Sequence, residues 1–321
     1  MASPALAACR DDDERVQAAD TVTVEMSDFA YSVSGPLTAG ATLRISNVGK
    51  EFHMMSIGKL KPGKTVQDLT RALSQAGPPG EGEGGPSTTA GAAPAAVGTT
   101  TTSASGGATT TESQGQGGNE EGDPAAEILD ELGLPGNFMS PGESVDLRVP
   151  NLAPGTYALI CFIPTEGEGS PHFAKGMIGE LRVVEGKARP EPRADATYRL
   201  APRQPVQGPA TLSPGRHTLK FEAGPGSQPL EPSIVRLNPG ATVGQLDAAL
   251  AALFESEHPP ATGATSQVPG QVVFGGFDLD DVTSFYLTVD LKPGNYVITA
   301  EDVDDENRPK PPIEMINITV G

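Results

Sequence analysis

The sequence predicts an all-β protein of two tandem β-sandwiches, with short helices and a long disordered insert. Three observations predict it. The apolar segments are short, alternating and rich in β-branched residues, as half-buried strands are. Tryptophan is absent, aromatics are only 5%, and 39 Gly with 31 Pro make the 321-residue chain turn-rich. The second half also repeats the pattern of the first.

Residues 1–20 read as a tail, and a first unit spans 21–187. "TVTVEMSDFAYSVSGPLTAGATLRISNVG" alternates in the way strands do, with turn residues between the runs, and "HMMSIGKL" continues as a strand. "KTVQDLTRALSQ" carries Val66, Leu69 and Leu73 on one face and predicts a short amphipathic helix. Residues 76–124 have almost no large apolar side chains. They cannot bury enough surface to offset their ordering entropy, and disorder is expected there. The Thr and Ser density of this insert suits either O-glycosylation or a bare spacer. "AAEILDELG" predicts another short helix. "ESVDLRVPNLAPGTYALICFIP" returns to strands, and "MIGELRVVEG" closes the unit.

A proline-rich, charged linker over 188–194 leads into a second unit over 195–321. A strand, an "L-x-PG-x-T-V-x-x-L" turn into a helix, and "L-x-PG-x-Y" before a strand all recur there. Two copies of one sandwich explain the recurrence, each long enough to bury a core.

The net charge of −19 makes nucleic acid and anionic membranes poor electrostatic partners. It suits solubility, or docking to a basic partner. No run approaches the roughly 18 apolar residues of a membrane span. No P-loop, no GxGxxG opening a helix, no CxxC and no Ser-His-Asp pattern is present, so a non-enzymatic role is expected. The two cysteines, Cys9 and Cys161, form no disulfide framework. Leu6-Ala7-Ala8-Cys9, ahead of a charged stretch, resembles the lipobox of bacterial lipoproteins, in which Cys9 would carry the lipid. Without a basic and apolar leader before it, two readings stand: a truncated lipoprotein signal, or an alanine-rich terminus. An extracytoplasmic location is the expectation.

The chemistry concentrates in "CFIPTEGEGSPHFAKGM", residues 161–177. In "TYALIC", Tyr157, Leu159 and Cys161 share one strand face and Ala158 with Ile160 the other. "PGTY" reads as a tyrosine corner, the phenol bonding back to the backbone. His172 and Met177 lie on the return limb of a loop whose outgoing limb starts at Cys161. Upstream, "NVGKEFHMMSI" puts His53 at the start of a strand after a turn. One thiolate, two imidazoles and a thioether form the trigonal His₂Cys arrangement with a long axial Met that holds type 1 copper.

On these residues the first unit resembles a cupredoxin, the plastocyanin and azurin family of Greek-key β-sandwiches. The "N-x-G…H" segment, the later Cys, and the "H-x4-M-x-G" ending occur in the family's order. The resemblance implies His53 and His172 as imidazole ligands, Cys161 as thiolate and Met177 as axial thioether. It implies copper as cofactor and one-electron transfer as function. Asn47 is, by position, the amide expected on the Cys sulfur. The ten residues between Cys161 and His172 exceed the interval in many members.

Other candidates point elsewhere. Met54 and Met55, at neighbouring strand positions, read as one core residue and one facing away. In the second copy, Leu230 stands at the position of His53 and Ala300 at that of Cys161, and Met315 alone cannot hold copper. That copy is expected to be metal-free. His217 and His258 read as surface residues. The acidic groups Asp302, Asp304, Asp305 and Glu306, and Asp278, Asp280 and Asp281, lack calcium-loop spacing. The chain is expected to be a monomer meeting a redox partner protein, or a copper donor or acceptor. Two rival functions remain at this stage: copper sequestration or delivery, and a metal-free surface interaction module.

Overall fold

The structure, a computed structural model, describes residues 21–38, 40–76, 125–131, 137–148, 152–187, 189–224, 230–255, 268–276, 283–303 and 309–321. Cys9, His258, Asp278, Asp280, Asp281, Asp304, Asp305, Glu306 and the insert from residue 77 to 124 lie outside the described residues, as does the side chain of Asp302.

The protein is mostly β. Its first half contains β1 (Thr21–Ser27), β2 (Ala30–Val33), β3 (Leu37–Thr38), β4 (Thr42–Asn47) and β5 (His53–Leu60). After helix α1 (Val66–Ala76) come β6 (Leu129–Glu131), β7 (Asn137–Met139), β8 (Ser144–Arg148), β9 (Gly155–Ile160) and β10 (Ile178–Val184). The second half contains β11 (Ala196–Ala201), β12 (Gln204–Gln207), β13 (Thr211–Leu212), β14 (Gly215–Ala223) and β15 (Leu230–Leu237). Helix α2 (Val243–Glu255), β16 (Gly270–Phe274), β17 (Ser284–Leu291), β18 (Gly294–Val303) and β19 (Pro309–Val320) complete it.

Local sequence accounts for these elements. In β1 the alternate residues Val22, Val24 and Met26 are fully buried, the period-2 pattern of a strand with one wet face. Helix α1 opens on a capping box. Thr65 Oγ1 accepts from the Asp68 N–H at 3.1 Å, and the Asp68 carboxylate accepts from the Thr65 N–H at 3.0 Å. Helix α2 opens the same way with Thr242 and Gln245. Tyr157 donates to the Ala153 carbonyl at 2.8 Å, and Tyr296 to the Lys292 carbonyl at 3.0 Å, each four residues back. Both are the back-bonded tyrosines that the "PG-x-Y" pattern predicts.

The pairings recur in both halves. β1 lies parallel to β4 and antiparallel to β2, as β11 lies to β14 and β12. β10 pairs with β9 and with β3, as β19 pairs with β18 and β13.

Two sequence expectations need correction. "AAEILDELG" is not a helix: one turn, in which the Ala125 carbonyl accepts from the Ile128 and Leu129 N–H groups, leads directly into β6. A single turn lacks the cooperative length a helix needs. Here Ile128 and Leu129 bury themselves against α1 and β5 instead. Second, the two halves do not keep separate cores. β8 pairs with β17, so one eight-stranded sheet runs β12-β11-β14-β17-β8-β4-β1-β2 through both. A buried row, Leu43–Leu147–Leu287–Leu219, crosses four strands and the seam.

The opposite face carries a polar row in the adjacent register. Asp146 receives a bidentate bond from Arg44, at 2.7 and 2.9 Å, and pairs across the seam with Arg216. Thr288 and Thr218 continue the row, their hydroxyls 3.0 Å apart. The linker is tied down over the same sheet, since Tyr286 donates to Glu191 at 2.6 Å. Burial opposes ionisation of Asp146, yet the two arginines hold its carboxyl below the usual range.

Asp146→Ala leaves Arg44 and Arg216 facing each other without their shared anion. The expected loss is about 1–2 kcal/mol of stability, screened because both guanidiniums are partly exposed. Urea unfolding checks it: the midpoint falls, and the difference from the parent shrinks with added salt.

Candidate metal centre

β5, β9 and the 161–177 loop bring three of the expected ligands together. His53 opens β5, and the turn before it is organised by Asn47. The Asn47 Oδ1 accepts from the Gly49 N–H at 3.0 Å, while its amide donates to the Glu51 and Met139 carbonyls, each at 2.9 Å. β9 ends at Ile160, and Cys161 continues on its core face while Ala158 and Ile160 pack under α1.

The long loop after Cys161 is folded on itself. The Thr165 N–H bonds to the Ser170 carbonyl, the His172 N–H to that of Ile163, and the Phe173 N–H to that of Cys161. These bonds bring His172 back beside Cys161 despite the ten residues between them. His172–Lys175 form a single 3₁₀ turn. Gly176, at φ +105, closes it in the left-handed region that glycine enters freely. The Met177 N–H then bonds to the His172 carbonyl at 3.0 Å, and its carbonyl accepts from the Cys161 N–H at 3.2 Å. Met177 is fully buried in the same core cluster as Cys161.

The three donor atoms face one another. His53 Nδ1 and His172 Nδ1 are 3.2 Å apart, and Cys161 Sγ is 3.4 Å from His172 Nδ1. All three residues have 0% exposure. Among the described residues no other group of three His, Cys, Asp or Glu side chains brings its donor atoms this close. The outer nitrogens turn toward carboxylates. His172 Nε2 lies 3.0 Å from Glu51 Oε2, and His53 Nε2 lies 3.4 Å from Asp28 Oδ1. At His172 the Glu51 carboxylate can accept only from an Nε2–H, and that tautomer leaves a lone pair on Nδ1, aimed inward; His53 Nε2 makes no hydrogen bond. The donor set is two inward nitrogens and a sulfur, all buried.

That cluster fits a type 1 copper site. Soft sulfur with borderline nitrogen selects copper, and the resemblance of the first half to the cupredoxins extends to these atoms.

Asn47 departs from expectation. Both of its amide hydrogens are taken by the Glu51 and Met139 carbonyls, so the Cys161 sulfur receives its bonds elsewhere. The Met54 N–H donates to it at 3.4 Å, and the Ile163 N–H also reaches it. Met54 and Met55 are both buried, at 8% and 0% exposure, rather than one facing away. Asp28 and Glu51 were not among the sequence candidates. Glu51 stands within the "NVGKEFH" motif two residues before His53, but Asp28 comes close only through the parallel pairing of Met26 with Asn47.

In the second half, Ala300 is buried in β18 and Leu230 opens β15 as His53 opens β5. His217 lies in β14 and bonds to Ser213 at 2.7 Å, away from the cluster.

Burial pushes both imidazoles below the ordinary histidine value; at His53 the nearby His172 adds to this, and Asp28 and Glu51 oppose it at both rings. Burial pushes the Cys161 thiol up to about 12, against the Met54 and Ile163 N–H groups. The metal-free site is therefore neutral, and a metal must displace the thiol proton.

No protein-family model matches the chain, and no curated protein matches it. Among solved structures, a reduced auracyanin from Roseiflexus castenholzii is 20% identical, over 52% of this chain and 98% of its own, at a TM-score of 0.23. Auracyanin A, a "blue" copper protein from Chloroflexus aurantiacus, is 14% identical over 39% and 98%, at 0.25. A blue copper oxidase from Nitrosomonas europaea is 11% identical over 94% and 85%, at 0.21. At overlaps this low, the copper assignment rests on the chain's own atoms. No helix among the described residues is long and apolar enough to cross a membrane.

Both imidazoles titrate below their unfolded value of about 6.5. The unfolded chain then binds more protons in that window, so stability is present above about pH 6.5 and lost as pH falls toward the lower folded values. Thermal unfolding of metal-free protein between pH 8 and 5 should show this decline. It should flatten in the His53→Gln/His172→Gln double variant; a parent profile already flat would refute the assignment.

Proposed function

We propose that this chain is an extracytoplasmic copper protein carrying single electrons, in which His53, Cys161, His172 and Met177 would hold the metal. The carrying observation is the convergence of two inward Nδ1 atoms and Sγ at 3.2 and 3.4 Å. Copper in such a set exchanges one electron between Cu(I) and Cu(II) with little reorganisation. The protein contributes a rigid, dry frame. β5 fixes His53, the core face of β9 fixes Cys161, and the self-bonded loop fixes His172 and Met177.

Burial favours electron transfer over metal delivery. Handing copper to an acceptor requires an incoming ligand to reach the metal, whereas all four residues have 0% exposure. An electron needs no such access. The fold is read as two tandem Greek-key sandwiches, 21–187 and 195–321, with a metal-free second copy as scaffold or docking surface. The repeated pairings support that reading, as do Leu230 and Ala300 at the ligand positions. The protein partner is a redox protein, the chain acts as a monomer, and membrane attachment runs through a lipid on Cys9.

Cu(II) added to the folded protein should produce an intense visible thiolate-to-copper band, and Cys161→Ser should abolish it. A colourless complex of folded protein would sink the type 1 reading. A reversible one-electron wave separates a carrier from a copper store, which would hold Cu(I) without one.

A further inference from the structure

We infer that Asp28 and Glu51 are positioning residues which hold the two imidazoles with their Nδ1 lone pairs inward and bias the centre toward Cu(II). The inference rests on the copper reading and goes beyond it, because neither carboxylate belongs to the ligand set.

The geometry is paired. Glu51 Oε2 lies 3.0 Å from His172 Nε2 and also accepts from the Glu166 N–H at 3.4 Å, so the ring and its loop share one anchor. Asp28 Oδ1 lies 3.4 Å from His53 Nε2 and accepts from the Lys50 N–H at 2.7 Å and the Glu51 N–H at 3.4 Å. The backbone carrying Glu51 is thus held by Asp28, and the two anchors form one unit. His53 Nε2 makes no hydrogen bond, so the Asp28 carboxylate acts on it as a neighbouring charge at 3.4 Å.

Gly49 makes the approach to His53 feasible. A Cβ there would stand 2.5 Å from Asp28 Oδ1 and 2.5 Å from His53 Nε2, closer than any carbon can sit. Phe29, held at φ +66 in the turn beside Asp28, lays its ring edge-on to His172 at 5.1 Å. It limits rotation of that imidazole from the other side.

The physical consequence has two parts. A carboxylate on Nε2–H fixes the tautomer and makes the ligating nitrogen a stronger donor. Two partly exposed anions adjoining the buried ligands stabilise the more highly charged metal state, by an attraction that water partly screens. Both effects favour Cu(II) over Cu(I).

The first test needs no metal. Nitrogen-15 NMR of the metal-free protein reads the tautomer of each ring. We expect Nε2–H at both rings in the parent. His172 should lose that preference in Glu51→Ala and keep it in Glu51→Gln, whose amide oxygen still accepts. Gly49→Ala, which displaces Asp28 without removing a charge, should release His53. Then Cu(II) and Cu(I) affinities are measured on each variant. Asp28→Asn and Glu51→Gln should each lower Cu(II) affinity about 10- to 100-fold with a smaller loss for Cu(I). Each tenfold change in that ratio raises the potential by about 59 mV. Nδ1–H rings in the parent, or an unchanged ratio in both neutral variants, would overturn the inference. A parent that binds no copper would overturn the copper reading instead, and the metal-free spectra would still decide the tautomers.

Discussion

Two buried imidazoles bring their Nδ1 atoms within 3.2 Å of each other, with the Cys161 sulfur 3.4 Å from one of them, and polar atoms gathered in a core are costly to bury. Much of the first half is arranged so that this costly placement is nevertheless the folded state. Asn47 ties the turn before His53 to β7 through the Met139 carbonyl. Gly49 clears room for Asp28, and the loop after Cys161 closes on its own backbone bonds. A cation entering this cluster would meet all three donor atoms at once.

The strands that hold the site also belong to a larger sheet system. β4, which leads into the Asn47 turn, pairs with β8, and β8 pairs with β17 of the second half. The Leu43–Leu147–Leu287–Leu219 row seals the seam on one face, and the Arg44–Asp146–Arg216 bridge spans it on the other. β7, which receives the Asn47 amide, leads to a second junction: the Phe138 N–H bonds to the Gly275 carbonyl and the Ser140 N–H to that of Val272. The second half therefore braces the strands under the His53, Cys161 and His172 cluster without adding a residue to it among the described residues.

The meeting of His53, Cys161 and His172 was legible in the sequence because strand parity is local. Cys161 falls on the core face by counting from Tyr157, and the "H-x4-M" spacing matches a 3₁₀ turn closed by Gly176. The back-bonded tyrosines and both helices were legible for the same reason. What escaped reading depends on contacts between distant segments. Asp28 reaches His53 only after β1 and β4 pair in parallel, and no spacing in the chain announces it. The turn at Ala125–Ile128 looked helical because its apolar residues suit either state, and burial against α1 decided the outcome. The seam between halves was hidden too. Its strands alternate like any others, and edge pairing is a choice of partner rather than of pattern.

The burial that makes this cluster costly also sets the protonation of the site. It drives the Cys161 thiol up to about 12 and both imidazoles downward, so the metal-free centre carries no net charge at neutral pH. The carboxylates outside it remain within reach of water, with side-chain exposures of 34% for Asp28 and 25% for Glu51. Negative charge is thereby kept one bond outward from the ligands, where hydration tolerates it. A cation entering the pocket meets neutral donors first and the anions' field behind them. That layering lets an apolar core accept a charged metal: the ligands give up one thiol proton, and the outer carboxylates offset the remaining charge without being buried themselves.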